Sequence, residues 1–303
     1  MDSSAPRVSA IVLNRNNASD TIACLASLSK SDYAALDILV VDNGSDDGSD
    51  VAIERAFSNV RLLRARSNLG FAAGMNRGIA QAVRSDAKFV LLLNNDTVVA
   101  PDCISHLVRT AVSRPKAGIC VPKILFQHLP NIIWSAGAMW KRWPPRVKLI
   151  GLGRPDGPDF DQPMDLEYAT GCSLLIRLET IAQVGLLDER YFMYQEDYDY
   201  CYRCRSAGWS IRYVPGSRVW HKVSAGLGIA SQRWWYHWSR STLRLYRSTW
   251  RYSWAALPAV FCRSNWQSLC SDCSDILLSE EHYKASFQYR TGVSFPLVCG
   301  TVL

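Results

Sequence analysis

Phe89-Val90-Leu91-Leu92-Leu93-Asn94-Asn95-Asp96-Thr97 passes abruptly from an apolar run to two amides and a carboxylate. An unbroken apolar run of this length reads as a strand buried on both faces, the signature of a parallel sheet. The same junction occurs twice upstream. Val8 to Leu13 runs into Asn14-Arg15-Asn16-Asn17, and Ile38 to Val41 runs into Asp42-Asn43-Gly44-Ser45. Ligands of open α/β sheets collect beyond the carboxyl ends of such strands. Three polar strand ends in the first third of the chain therefore predict a site for a nucleotide or a sugar.

Working outward, the first hundred residues alternate strands with helices. Strand Val8 to Leu13 leads to a helix that starts at Ser19 or Asp20 and ends near Ser29-Lys30. Strand Ile38 to Val41 leads through a turn to a helix from Ser49, and Val60 to Leu63 reads as a third strand. Gly74 to Val83 reads as the helix returning to Phe89. A helix over Ile104 to Ser113 precedes strand Gly118 to Pro122. Ile132-Ile133-Trp134 and Val147 to Ile150 flank Trp143-Pro144-Pro145, which suggests a hairpin or an excursion near an active-site mouth. Pro155 to Pro163 is a loop, Ala169 to Ile176 a strand interrupted by Gly171, Glu196 to Ala207 a helix stopped by Gly208, and Ile211 to Val214 a strand. Together these call for an α/β fold with a mixed, mainly parallel sheet flanked by helices. After Ser231, aromatics and arginines interleave on what reads as one helix with a basic and an aromatic side. Residues 1–225 are expected to form the main domain and 226–303 an aromatic and basic helical extension.

A chain of 303 residues can bury a substantial core, and 48% hydrophobic with 20% charged residues excludes a disordered protein. No stretch reaches the about 18 consecutive apolar residues of a membrane span. Met1 to Pro6 lacks the basic flank and apolar run of a signal peptide, so a cytoplasmic location is expected. The net charge of +7 favours anionic partners, but no zinc-finger, RNA-binding or basic-zipper pattern accompanies it, and nucleic acid is not expected. The ten cysteines do not make a disulfide framework. Cys24, Cys103, Cys120 and Cys172 stand singly in apolar contexts, and the pairs Cys201/Cys204 and Cys270/Cys273 have no partnering zinc ligands, so packing is their reading.

Several polar groups carry candidate chemistry, each beside a plainer role. Asp42 can accept the imide N–H of a pyrimidine or a ribose hydroxyl, or it can simply cap its Asp-Asn-Gly-Ser turn. Asn68-Leu69-Gly70-Phe71-Ala72-Ala73-Gly74-Met75-Asn76-Arg77-Gly78 offers close backbone approach and a helix start to an anion, or only tight helix packing. Asp96 can bridge a hard divalent cation, Mg²⁺ or Mn²⁺, to a diphosphate while Asn94 orients a sugar hydroxyl, or both can be polar caps. His221 can be a second cation ligand or a structural histidine. Glu196-Asp197-Tyr198-Asp199 can cap a helix, or supply the base that an attacking hydroxyl needs. Asp197 is the first choice for that base and Glu196 its competitor.

Asn14-Arg15-Asn16, Val40 to Ser45, Asn68 to Gly78, Leu92 to Thr97, Thr170-Gly171-Cys172, Glu196 to Asp199 and Val219-Trp220-His221 form an ordered set over residues 7–225. In that order the chain resembles inverting family 2 glycosyltransferases, particularly their bacterial rhamnosyltransferase-like branch. The resemblance implies a nucleotide-diphospho-sugar transferase (GT-A) fold. It implies that Asp42 reads the nucleobase, that Asn14, Asn68, Gly70, Asn76 and Asn94 border the donor, that Asp96 and His221 meet the metal-diphosphate, and that Asp197 is the catalytic base. Asn94 stands where the family's Asp-x-Asp element has its first carboxylate. Gly171, Trp134 and Asp199 are expected in the acceptor region. The implied donor is a pyrimidine nucleotide diphosphate sugar, with dTDP-L-rhamnose leading and UDP-sugars competing. The acceptor is a glycan, a lipid-linked glycan or a small molecule. The segment after Ser231 is expected either to rest on an anionic membrane or to pack its tryptophans against protein. A noncatalytic nucleotide-sugar or glycan-binding protein is the alternative from another class.

Overall fold

The computed structural model describes residues 5–142, 145–223 and 232–249. All belong to the first of two compact units, which ends at Trp250; the second, Arg251–Leu303, lies outside the described residues. So do Cys270/Cys273, the glycines 226 and 228, and the tail after Phe261.

The elements in chain order are β1 (Val8–Asn14), α1 (Ala18–Leu28), β2 (Leu36–Asp42), α2 (Ser49–Ala56), β3 (Arg61–Arg64), α3 (Phe71–Val83), β4 (Phe89–Asn94), β5 (Thr97–Val99), α4 (Cys103–Ser113) and β6 (Ala117–Phe126). They continue with β7 (Ile133–Ser135), β8 (Ala138–Arg142), β9 (Pro145–Leu149), β10 (Asp165–Leu166), β11 (Ser173–Arg177), α5 (Leu178–Val184), α6 (Glu196–Ser206), β12 (Ser210–His221) and α7 (Gln232–Thr249). The main sheet runs β10-β12-β6-β11-β4-β1-β2-β3, with β5 on β12 and β7 on β6. β4, β1, β2 and β3 are mutually parallel, as are β6 and β12, while β11 runs antiparallel between the two groups. The sheet is therefore mixed and parallel over most of its path, as the apolar runs require.

Alternation along the strands feeds two cores. Ile11, Val41, Val90 and Leu92 face Met75 and Ile79 of α3, together with Tyr200 and Cys204 of α6 and Leu245 of α7. Val12, Val40, Leu91 and Leu93 face Leu25 and Leu28 of α1, Ile53 of α2 and Leu107 of α4. The six described cysteines are free and buried, which agrees with packing, and no described helix is long and apolar enough to cross a membrane.

Several boundaries differ from the sequence reading. α3 begins at Phe71, not Gly74, because Gly70 takes φ +85° and lets Phe71 N–H bond the Phe192 carbonyl at 2.7 Å. Gly74 and Gly78 lie inside the helix, where they let its backbone approach Leu13 and Ile11 of β1. β6 extends past Pro122 to Phe126. β12 runs from Ser210 through a bulge between Val214 and Arg218 to His221, so His221 ends a strand instead of following one. Residues 169–172 precede β11 and form no strand. Ile132-Ile133-Trp134 enters β7 and pairs with β6, so it is not the first arm of the hairpin; the hairpin is β8 with β9. The loop after it is anchored by Lys123, fully buried in β6, whose ammonium is 2.6 Å from both Asp156 and Asp161.

Candidate active site

The carboxyl ends of β1, β2 and β4 lie side by side, with Asn14 opposite Asp42 and Leu13 opposite Asn94. At the first of these ends the polar groups bond mainly to one another. Asn14 is wholly buried, donates to Asp42 Oδ1 at 2.8 Å and accepts from Thr21 Oγ1 at 2.7 Å. Asp42 also accepts Ser45 Oγ on Oδ1 at 2.5 Å and Ser45 N–H on Oδ2 at 3.0 Å. The turn after β2 is thus held by Asp42, and Asn14 supports it from beneath without opening to a ligand.

Asn43, given no role of its own in the sequence reading, stitches this turn to the next loop. Its amide donates to Asn68 Oδ1 and the Gly70 carbonyl and accepts Leu69 N–H, at 3.0–3.1 Å. Asn68 in turn accepts Gly70 N–H at 2.9 Å. Asn76, expected at the donor, is buried in α3 and turned away: it donates to the Leu187 carbonyl at 2.8 Å and to Glu189 at 3.0 Å, and accepts Leu187 N–H at 3.1 Å. Its role is to fasten α3 to the segment before α6. Asp199, expected near the acceptor, pairs with Arg203 one helical turn on, at 2.8 Å, and Arg203 also donates to the Val184 and Leu186 carbonyls. That carboxylate joins α6 to α5. Helical spacing turned Asn76 and Asp199 toward neighbouring elements, a direction that residue type does not encode.

A second cluster is built differently. Asp96, on the turn between β4 and β5, lies 3.1 Å from His221 Nε2 at the end of β12, and both are buried. The antiparallel pairing of β5 with β12 sets this meeting, since Thr97 is opposite His221. Burial opposes ionisation of Asp96, yet the His221 hydrogen bond and charge hold its carboxyl below the usual range. Burial presses the His221 imidazole down, but Cys172 and Asp96 carry it up to about 10. His221 Nδ1 has no hydrogen-bond partner. Trp134, expected with the acceptor, packs edge-on against His221, with ring centroids 4.7 Å apart. Asn94 is tied through its backbone N–H to the Cys172 carbonyl at 2.9 Å, next to the pair.

The donor set suits one divalent cation held partly by protein. The carboxylate suits Mg²⁺ or Mn²⁺, the imidazole suits Mn²⁺ better than the harder Mg²⁺, and His221 Nδ1 has no hydrogen-bond partner within the fold. Among the described residues no group of three or more His, Cys, Asp or Glu side chains is arranged to hold a metal. The remaining ligands of such a cation would be oxygens of water or of a bound phosphate.

Asp197 opens the first turn of α6. Its Oδ2 accepts Tyr168 O–H at 2.7 Å and Gly171 N–H at 2.8 Å, and its Oδ1 accepts Tyr198 N–H at 2.8 Å. The side chain is half-buried; burial pushes its carboxyl up, and the three hydrogen bonds oppose that rise. Glu196 is enclosed, with Oε2 unpartnered, and burial together with the Asp197 charge pushes its carboxyl well above the ordinary range. Glu196 is thus held toward its neutral form and, being enclosed, is less open to an acceptor hydroxyl than Asp197. Tyr194 and Gln195, immediately before them, both adopt left-handed backbone angles, φ +69°, a strained approach of the kind found at functional sites. One short segment joins the two clusters: Gly171 holds Asp197, while the next residue, Cys172, holds Asn94 and borders His221. Tyr168 was not singled out in the sequence; its place two residues before Thr170-Gly171-Cys172 was the available signal.

Known proteins share this chain's family pattern and its fold. Residues 6–236 match the family model described as glycosyltransferase like family 2. Over 228 residues the chain is 33% identical to the N-acetylglucosaminyl-diphospho-decaprenol L-rhamnosyltransferase of Mycobacterium tuberculosis, covering 67% of this chain and 72% of that one. It is 27% identical over 175 residues to the low-salt glycan biosynthesis hexosyltransferase Agl10 of Haloferax volcanii, covering 56% of this chain and 53% of the relative. Among solved structures it resembles GalNAc-T7 with UDP, GalNAc and Mn²⁺, at TM-score 0.59 and 19% identity over 73% of this chain and 44% of that chain. It also resembles the mannosyltransferase PcManGT of Pyrobaculum calidifontis with GDP-Man and Mn²⁺, at TM-score 0.58 and 16% identity over 83% of this chain and 66% of that chain. These two likenesses show the fold, the nucleotide-sugar transferase (GT-A) architecture that the family resemblance implied. With the family match running from before β1 into α7, the chain belongs to glycosyltransferase family 2 and is a rhamnosyltransferase-like sugar transferase.

Proposed function

We propose that this chain is an inverting transferase that moves L-rhamnose or another deoxysugar from a pyrimidine nucleotide diphosphate to an acceptor hydroxyl. The observation that carries the reading is the Thr170-Gly171-Cys172 segment, which brings the Asp197 carboxylate and the Asp96–His221 pair to one rim. Asp197 takes the proton of the acceptor hydroxyl, and the oxygen attacks the anomeric carbon from the face opposite the diphosphate. The carbon–oxygen bond to the diphosphate breaks and its electron pair leaves with the phosphate. No covalent enzyme intermediate forms, and no second carboxylic acid is needed, because a diphosphate leaves without prior protonation. Asp96 and His221 would hold Mg²⁺ or Mn²⁺, whose charge, when bound, offsets that of the leaving diphosphate.

Asp42 Oδ2 accepts only Ser45 N–H and is the group at the β2 end suited to a pyrimidine imide. The mycobacterial relative is named for L-rhamnose and for an N-acetylglucosaminyl-diphospho-decaprenol, which supports a deoxysugar donor and a lipid-linked acceptor here. A lipid-linked acceptor implies peripheral contact with the cytoplasmic face of the membrane. The exposed Tyr236 and Arg240 of α7 and the net charge of +7 are compatible with that contact.

The test uses dTDP-L-rhamnose and a panel of UDP-sugars with wild type and Asp197→Asn. Wild type is expected to bind the dTDP sugar and to yield a product of inverted anomeric configuration, read by NMR. Asp197→Asn should bind the donor normally and lose transfer by about 10²–10⁴-fold. Near-normal transfer by that variant, or retained configuration in the product, overturns the reading.

A further inference from the structure

Tyr168 is enclosed and held from three directions. Its carbonyl accepts Ala138 N–H at 3.1 Å, tying it to the β8–β9 hairpin. Its ring leans on Tyr198 with centroids 5.5 Å apart, and its hydroxyl donates to Asp197 Oδ2 at 2.7 Å. Ring and backbone are thus fixed independently of the hydroxyl. The phenol O–H is aimed at one of the two oxygens of the carboxylate read above as the base.

We propose that Tyr168 is a positioning residue for Asp197: its hydroxyl orients the carboxylate and favours its ionised form, leaving Oδ1 to meet the acceptor hydroxyl. This rests on Asp197 being the base. The chemistry is that of a neutral donor on an anion. A hydrogen bond to the charged form of an acid stabilises that form and strengthens as the surroundings dry. Asp197 already suffers from burial, so each donor matters. Oδ2 receives two, from Tyr168 and Gly171, whereas Oδ1 receives only Tyr198 N–H and keeps a lone pair available. The other titratable groups facing Asp197 are Glu196 and Cys201, both on α6, and burial disfavours the charged form of each. Neither supplies a hydrogen bond to the Asp197 carboxylate that would replace the phenol.

Tyr168→Phe keeps the buried ring and removes only the donor. The expected result is an acid limb of the kcat/KM profile moved upward by about one pH unit, with plateau transfer lowered about tenfold and donor affinity unchanged. Site-specific 3-fluorotyrosine in place of Tyr168 is the second variant. It keeps the hydroxyl and makes it a stronger donor, so the limb should move the other way. A direct ¹³C titration of the Asp197 carboxyl, assigned by its loss in Asp197→Asn, should follow both shifts without any turnover. A tyrosine that only packs would lower the melting temperature and leave limb and carboxyl titration where they were, and that overturns the proposal. If Asp197→Asn loses transfer while the Tyr168 variants titrate as wild type, the positioning role fails and the base stands. If Asp197→Asn transfers normally, the base reading itself has failed.

Discussion

Two polar clusters share the rim of this sheet and are put together in opposite ways. At the ends of β1 and β2, Asn14, Asp42, Asn43 and Asn68, with Asn76 behind them, pass hydrogen bonds among themselves and to nearby backbone. Around Thr170-Gly171-Cys172 the satisfaction stops. His221 Nδ1, Glu196 Oε2 and Thr170 Oγ1 have no partner, and Asp96, Glu196, Asp197 and His221 all carry displaced titrations. A buried polar atom without a partner destabilises the fold, so three such residues together, beside four displaced titrations, mark a place kept for something else. The first cluster shapes the rim. The second is the place proposed for the chemistry.

The comparison breaks most visibly at Asp96. Asp96→Ala removes the one carboxylate of the His221 pair and is expected to lower Mn²⁺-dependent binding of dTDP-L-rhamnose at least tenfold. Transfer should fall by about 10²-fold or more. Titration calorimetry with and without Mn²⁺ and an assay with and without chelator check both. Because removing the carboxylate lets His221 shed its proton, the melting temperature should move little. Donor binding that ignores both metal and substitution would put Asp96 in the same class as Asn14.

Asn76→Ala attacks the other cluster and should do the reverse. It leaves the buried Leu187 N–H and C=O without partners, a cost of about 2–3 kcal/mol. Denaturant unfolding should register that loss, while kcat/KM per folded molecule stays within about threefold. A large catalytic effect at unchanged stability would return Asn76 to the donor site.

The strands could be read because parallel strands buried on both faces leave no alternation to misjudge, and the polar residues that end them sit at fixed chain positions. Asp96 and Asp197 stood out for the same reason, each beside the end or beginning of an element, whereas His221, well past the strand read over Ile211 to Val214, took its expected role from the family resemblance. What the chain concealed was direction. Asn76 finds its partners 111 residues away, and nothing local distinguishes that from an amide facing a ligand. Trp134 meets His221 only because β7 and β12 both pair with β6. Gly74 and Gly78 fell within the helix read over Gly74 to Val83, but which strand they let α3 approach shows only once β1 is seen to lie against them.

The smallest expected effect sharpens the division inside the second cluster, between the two adjacent carboxyls. Glu196 is enclosed beside Asp197, so its folded pKa lies above the ordinary 4.5. Stabilisation from such a group is complete below the unfolded value and is lost as pH rises toward the folded one, because only the unfolded chain ionises freely. Glu196→Gln keeps the shape of the neutral acid and abolishes the titration. Relative to wild type, its melting temperature should be nearly unchanged at about pH 4 and higher by roughly 2–4 °C at about pH 9. Transfer should stay close to wild type, since a neutral group in a closed site accepts no proton. If Glu196→Gln instead loses transfer as completely as Asp197→Asn, the enclosed carboxyl is the base and the half-open one only its support.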